Sequence, residues 1–282
     1  MSAQAAGSEW EASTFLARCA DRGYGVLPLS DAARALVEES FATATNFFQM
    51  PSAAKSASEL PQGCGYRPYG REYSGSKRRF DRIESFTASR RTETTALALE
   101  NPPARDLHRV MAKTIRALEP DCETLIAGIA QVLDPSTEVR ALGAGLKRWS
   151  CLQINCAPAT SPRSLIHPPH EDGHLLTLGV ADGRGLEVRM STGDFTAVSI
   201  PDDAAIGMPG ETARLMTGGR LQPLYHRVRG TGRVRMAVLF FIDLAPADCT
   251  PWVRNAVNEG VDIGAAVLRN PSRFGVGGFA LE

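Results

Sequence analysis

Three side chains in this sequence can meet on one metal ion: His170, Asp172 and His226. His170-Glu171-Asp172 places an imidazole and a carboxylate two positions apart. In an extended segment, residues i and i+2 project to the same side, so both groups address one point. His226 stands in the strand-like run Leu224-Tyr225-His226-Arg227-Val228 and brings a second imidazole. Two neutral imidazoles and one carboxylate on one face of an octahedral ion leave positions open for other ligands, an arrangement that suits Fe(II). A His followed by a turn Asp also occurs with no metal, so the pair alone is a weak signal.

Arg235 strengthens it. This arginine enters the apolar run Met236-Ala237-Val238-Leu239-Phe240-Phe241. A guanidinium carried into a buried strand needs an anionic partner, because an unpaired buried charge is costly. Its planar fork matches a carboxylate in a bidentate way. That carboxylate belongs either to an Asp or Glu of the chain or to a ligand.

Elements that can position these groups are legible around them. Trp10–Arg22 has helical spacing and is broken by Gly23, and Tyr24–Leu29 reads as a short strand. Ser30 or Asp31 caps a helix that ends at Pro51. Residues 61–79 read as an irregular loop rich in Gly, Tyr, Arg and Ser. Residues 104–133 are helical in pattern, and Pro120 is expected to divide them in two. Beyond residue 147 short strands are separated by turns: 175–180, 186–190, 195–200, 224–228 and 234–242. Such spacing predicts a sandwich or barrel behind a helical front half. Residues 256–268 are expected to add a closing helix.

Composition narrows the classes. Among 282 residues, 31 Lys and Arg balance 31 Asp and Glu, so the basic excess of a nucleic-acid binder is missing. Lys77-Arg78-Arg79 reads as a solvated face. No stretch approaches the about 18 consecutive apolar residues of a membrane span, and residues 1–11 do not read as a signal peptide, so the expectation is a cytoplasmic protein. The six cysteines are scattered without a Cys-x-x-Cys pair, which points to reduced thiols. Cys151 and Cys156 are expected in the core or a pocket wall. His167 and His174 flank the ligand segment and are expected as loop or core residues, and His108 on a helix as surface or packing.

Taken in order, the motifs resemble the isopenicillin N synthase-like branch of the Fe(II)/2-oxoglutarate-dependent dioxygenases. The matching stretches are Pro169-His170-Glu171-Asp172, Leu176-Thr177-Leu178, Gly185-Leu186-Glu187-Val188, Pro209-Gly210-Glu211, Thr217-Gly218-Gly219, His226-Arg227-Val228, and Arg235 through Phe240-Phe241. Gly23-Tyr24-Gly25-Val26, Phe47-Phe48-Gln49-Met50-Pro51, Gly65-Tyr66 and Asp81–Phe86 resemble the family's N-terminal region. The resemblance spans about residues 10–246. It implies iron ligands at His170, Asp172 and His226, with Arg235 holding the far carboxylate of 2-oxoglutarate. It also implies a place in the co-substrate site for Asn155, and substrate-contact candidates on a pocket loop at Tyr66, Arg67, Tyr69 and Lys77. The implied fold is a double-stranded β-helix, or jelly roll, with flanking helices. Its parts are an N-terminal α/β region at 1–100, helical support at 101–146, the jelly-roll core at 147–246 and a C-terminal helical segment at 247–282.

Two positions depart from the family pattern. Ala237 stands where a Ser usually follows the Arg, and Asn155-Cys156-Ala157 stands where Asn-x-Tyr is usual. Each loss removes a hydrogen bond to a charged group, worth about 1.5–3 kcal/mol. The expected reaction is oxidation of an unactivated C–H bond of a small organic substrate, using Fe(II), 2-oxoglutarate and O2 and releasing succinate and CO2. Hydroxylation is the default, with desaturation or cyclisation as variants. One alternative is an Fe(II) oxidase of the same fold that omits 2-oxoglutarate and binds a substrate carboxylate on Arg235. Another is a non-catalytic jelly-roll ligand-binding protein. The sequence leaves the oligomeric state and the substrate's identity open.

Overall fold

The computed structural model describes residues 10–60, 63–74, 79–136, 142–271 and 273–274. The front half is built of helices and edge strands. Helix α1 (Ala12–Arg22) ends where Gly23 turns left-handed at φ 84°, its N–H bonded to Cys19 O. Strand β1 (Gly25–Pro28) follows, then α2 (Asp31–Phe48), whose first turn is capped by Ser30 Oγ accepting from Ala33 N at 3.2 Å. Next come α3 (Ser52–Ser56), β2 (Gly65–Arg67), β3 (Glu84–Ser89) and the short α4 (Glu93–Ala96).

Helix α5 (Pro102–Leu133) runs unbroken through Pro120, contrary to the expectation of two helices. An internal proline costs about 3 kcal/mol through its missing N–H and ring clash. Leu118, Cys122, Leu125 and Ile126 are buried on both sides of it. Each such side chain contributes about 1.5–3 kcal/mol on burial, so the apolar face outweighs the proline. The helix α6 (Leu142–Trp149) leads into the β half.

That half holds β4 (Cys151–Ala157), β5 (Leu165–His170), β6 (Leu176–Ala181), β7 (Leu186–Arg189), β8 (Phe195–Ala197), β9 (Ala204–Pro209), α7 (Glu211–Met216), β10 (His226–Arg229), β11 (Arg235–Ile242) and α8 (Ile263–Arg269). The strands form a seven-stranded sheet, β1-β9-β6-β11-β4-β3-β2, and a four-stranded sheet, β5-β10-β7-β8, with antiparallel pairing throughout. Strands β4 to β11 make the expected jelly roll, and the N-terminal strands extend its larger sheet at both edges. The closing helix is shorter than expected, because α8 begins only at Ile263, capped by Asp262.

The alternation of β11 divides its work. Met236, Val238, Phe240 and Ile242 pack into the core with the helices, while Arg235, Ala237, Leu239 and Phe241 face a cavity between the sheets. On β4, Leu152 and Ile154 join that core, and Cys151, Gln153 and Asn155 face the cavity. All six cysteines are free thiols and buried. No helix among the described residues is long and apolar enough to cross a membrane.

His108 sits inside the helical layer, 3 % exposed, with Nε2 3.1 Å from Thr92 Oγ1. Burial, aided by the Arg116 charge, pushes its pKa down to about 4 from 6.5. The folded state therefore resists a proton that the unfolded chain accepts, and stability present above pH 6.5 is lost as the pH falls towards 4. This one group accounts for about 3 kcal/mol across that window. Melting curves between pH 7 and pH 4 should show a shallower decline in His108→Gln than in the wild type.

Candidate active site

His170 closes β5 and His226 opens β10, and register makes them direct cross-strand partners. Their ring centroids lie 4.3 Å apart. Asp172 follows on the loop between β5 and β6, with Oδ1 3.6 Å from His170 Nε2. One ligand atom from each of the three residues lies within 4.8 Å of the other two. A single small ion can therefore reach all three.

The surrounding groups fix which atoms are offered. His170 Nδ1 lies 2.8 Å from Pro168 O, and His226 Nδ1 lies 2.9 Å from Leu224 O. A carbonyl only accepts, so each Nδ1 carries a hydrogen, which leaves Nε2 as the nitrogen through which either ring can ligate a metal. Burial, reinforced by the neighbouring His226, pushes the His170 pKa down to about 4, which keeps this imidazole neutral. Burial alone would raise the Asp172 carboxyl. The facing His226, His170 and His174, together with the hydrogen bond from Thr177, hold it below the ordinary range. Thr177 Oγ1 donates to Asp172 Oδ2 at 2.7 Å, leaving Oδ1 towards His170.

The loop carrying Asp172 is pinned by the start of α7. Glu211 N donates to Asp172 O at 2.9 Å, and Thr212 N donates to Gly173 O at 3.1 Å. This close approach explains Gly210: a Cβ there would collide with His174 O and stand 2.7 Å from Asp172 O. Neither carbonyl can retreat without moving the ligand loop. Gly210→Ala should cost about 1–3 kcal/mol of stability through overpacking. A lowered melting temperature together with poorer iron retention is the expected result, and a variant with unchanged iron content would show that the loop tolerates the shift.

Arg235 lies in the wall of the same cavity, which has a volume of about 1480 Å3. It is 6 % exposed, and no Asp or Glu among the described residues lies within ion-pair distance of it. Its Nε donates to Arg184 O at 3.0 Å, and its outer nitrogens find no partner among the described residues. Burial pulls its pKa down, and the Asp182 charge offsets this only in part. The internal salt bridge weighed from sequence is therefore not formed. What remains is a buried cation, with two free donors, facing an open space.

Other expected site residues divide. Asn155 lines the cavity at 4 % exposure, and Arg67 lines it with Nη1 3.8 Å from Glu72 Oε1. Tyr66 does not reach the cavity. Its ring packs on Phe47 and its hydroxyl donates to Glu84 Oε2 at 2.7 Å, because β2 turns that side chain into the core. Tyr69 is also outside the cavity lining, 48 % exposed and edge-on to Phe80. Lys77 lies outside the described residues.

His167 and His174 both line the cavity, and each is held by a carboxylate. His167 Nδ1 is 3.1 Å from Ser74 Oγ and 3.4 Å from Asp81 Oδ2. His174 Nδ1 is 2.6 Å from Asp243 Oδ2, and its ring stacks on Phe241. Burial would lower the His174 pKa, but the Asp243 carboxylate raises it above the usual value.

Thr177, Asp243, Glu72 and Gln153 are not singled out by the sequence. Asp243 ends the apolar run of β11, and like Arg235 it is a charge at a buried strand end that needs a partner, so its signal was available. Thr177 sits at an inward position of β6, readable only once the register is known.

Residues 148–244 match the family model described as the 2OG-Fe(II) oxygenase superfamily. No curated protein sequence matches significantly. Among solved structures, a full-length Neurospora crassa protein in complex with alpha-KG is similar at 19 % identity and a TM-score of 0.65, covering 83 % of this chain and 79 % of that one. The dioxygenase for auxin oxidation of rice is similar at 22 % identity and a TM-score of 0.64, covering 83 % and 78 %. The corresponding Arabidopsis thaliana enzyme, solved with 2-oxoglutarate, is similar at 19 % identity and a TM-score of 0.62, covering 78 % and 84 %. These likenesses establish the jelly-roll fold. The segment from residue 148 to 244, which holds the His170, Asp172, His226 and Arg235 constellation, belongs to the 2OG-Fe(II) oxygenase superfamily, the dioxygenases whose cofactors are Fe(II) and 2-oxoglutarate.

Proposed function

We propose that this dioxygenase holds Fe(II) on His170, Asp172 and His226, binds the far carboxylate of 2-oxoglutarate on Arg235, and oxidises an unactivated C–H bond of a small organic substrate. Hydroxylation is the default outcome, with desaturation or cyclisation as variants on the same site. The observation that carries this reading is the shared cavity. Three ligand atoms converge within 4.8 Å of one another, and an unpaired buried guanidinium faces the same space. The donor set fits Fe(II): two imidazoles that present Nε2 and one carboxylate, with no thiolate among them.

Bound Fe(II) with 2-oxoglutarate and O2 supplies the oxidant for the C–H bond, as 2-oxoglutarate is converted to succinate and CO2. The chain's own residues do the rest. Pro168 O and Leu224 O hold the two imidazoles in the ligating tautomer, and Thr177 holds the carboxylate. Arg235 sets the direction in which the co-substrate lies. Leu186, Ile206, Met208 and Leu239 line the cavity as an apolar wall that limits water near the reacting centre. Arg67 is left as the substrate-contact candidate from the pocket loop.

The test is O2 uptake by the Fe(II)-loaded protein with and without 2-oxoglutarate, with succinate measured over a panel of small acids and heterocycles. Substrate-stimulated succinate formation supports the proposal. Substrate oxidation with O2 uptake and no succinate would overturn the 2-oxoglutarate assignment and move Arg235 to a substrate carboxylate.

A further inference from the structure

Two donors usual in this family are absent, because Ala157 and Ala237 replace a Tyr and a Ser. The retained residue of that pattern, Asn155, faces the same cavity as Ala237. Asn155 is the direct cross-strand partner of Ala237, on the strand next to Arg235. Its Oδ1 accepts from Gln153 Nε2 at 2.7 Å. Gln153 Nε2 gives its second hydrogen to Glu72 Oε2 at 3.0 Å, while Gln153 Oε1 accepts from Thr87 Oγ1 at 3.0 Å. Glu72 Oε1 in turn accepts from Ser85 Oγ, and Arg67 Nη1 stands 3.8 Å from it.

The polarity of this chain of amides starts at Glu72. A carboxylate only accepts, so Gln153 must turn its amino group towards it. Both hydrogens of that amino group are then used, and Asn155 must meet it with Oδ1. Asn155 Nδ2 is left with two hydrogens and no acceptor among the described residues, in the wall of the cavity and 4 % exposed. An amino group that faces the cavity with no protein acceptor is free to donate to a ligand there.

We propose that Glu72 is a positioning residue that, through Gln153, locks Asn155 as a hydrogen-bond donor to a carboxylate oxygen of 2-oxoglutarate, in a site where the donors at Ala157 and Ala237 are lost. The proposal rests on the reading of the Arg235 site given above. Glu72 is far from Asn155 in sequence and also lines the cavity, and its proposed effect runs through the orientation of two amides.

Glu72→Gln tests it, because an amide at that point both donates and accepts and leaves Gln153 and Asn155 free to turn over. Anaerobic calorimetric titration of the Fe(II)-loaded protein with 2-oxoglutarate should show about tenfold weaker binding in Glu72→Gln, the scale of one lost hydrogen bond to a charged group. Gln153→Met, which cuts the relay and keeps Glu72, should show the same loss. Asn155→Ala should weaken binding to a similar extent, and the double variant Glu72→Gln/Asn155→Ala should bind no more weakly than Asn155→Ala alone. In the metal-free protein, the side-chain amide signals of Gln153 and Asn155 should shift in Glu72→Gln while the backbone spectrum stays in place. Unchanged affinity in both relay variants beside a binding wild type would overturn the relay alone, and so would additive losses in the double variant. A wild type with no affinity for 2-oxoglutarate is a different result, which overturns the co-substrate reading itself and the relay with it.

Discussion

Replacing His226 with Ala is expected to leave a folded protein that retains little Fe(II) and has lost 2-oxoglutarate-dependent turnover. His226 is buried at the start of β10, opposite His170, and is anchored through Nδ1 to Leu224 O. Loss of an outer hydrogen-bond partner of a metal ligand already costs about 10- to 100-fold. Loss of the ligand itself should exceed a hundredfold in metal affinity. Iron content after anaerobic gel filtration, with succinate release on the same samples, gives both readouts. Full activity in His226→Ala would remove this residue from the ligand set. The fold should survive, because His226 faces the cavity and the packed positions of this strand and its neighbours are held by Val188 and Val228.

Arg235→Leu should give the opposite separation, with iron retained and co-substrate binding lost. Truncating one member of a buried, hydrogen-bonded charge pair costs about 2–5 kcal/mol, so the KM for 2-oxoglutarate should rise at least about 30-fold. Without its ligand, the guanidinium is buried with no carboxylate within ion-pair distance among the described residues, so its removal relieves a desolvated charge. The melting temperature of the metal-free variant should therefore hold or rise. Arg235→Lys keeps the charge and loses the fork, and should fall between the two. A KM unchanged in Arg235→Leu would show that another cation holds the co-substrate.

Much of this site was legible because its chemistry is concentrated in few residues. Only a small number of histidines had to be placed, and His170-x-Asp172 carried two ligands at a spacing that an extended chain resolves. Arg235 announced itself as a charge inside an apolar strand. The elements that the local sequence does not reveal are hidden for physical reasons. Strand β5 contains Pro168 and Pro169, which lack the N–H that a strand interior needs. They are tolerated because β5 is the edge of the smaller sheet. Strand β9 is rich in Ala and Gly and has no β-branched periodicity beyond Ile206, yet it is buried between β1 and β6. Pro120 failed to break α5 because packing outweighed its local cost. Tyr66 and Tyr69 were drawn to the pocket by their loop, but the direction of a side chain on a three-residue strand depends on pairing that one sequence does not reveal. Glu72 and Gln153 are joined only by folding, as are His174 and Asp243, and nothing in their local spacing connects them.

One cavity is proposed to hold Fe(II) on His170, Asp172 and His226 and 2-oxoglutarate on Arg235. The most direct measurement is an anaerobic titration of the Fe(II)-loaded protein with 2-oxoglutarate, followed by the visible charge-transfer absorption of the chelate. A saturable band that is absent in His226→Ala and needs far more 2-oxoglutarate in Arg235→Leu is the predicted result. Iron bound stoichiometrically with no band at any 2-oxoglutarate concentration would contradict it.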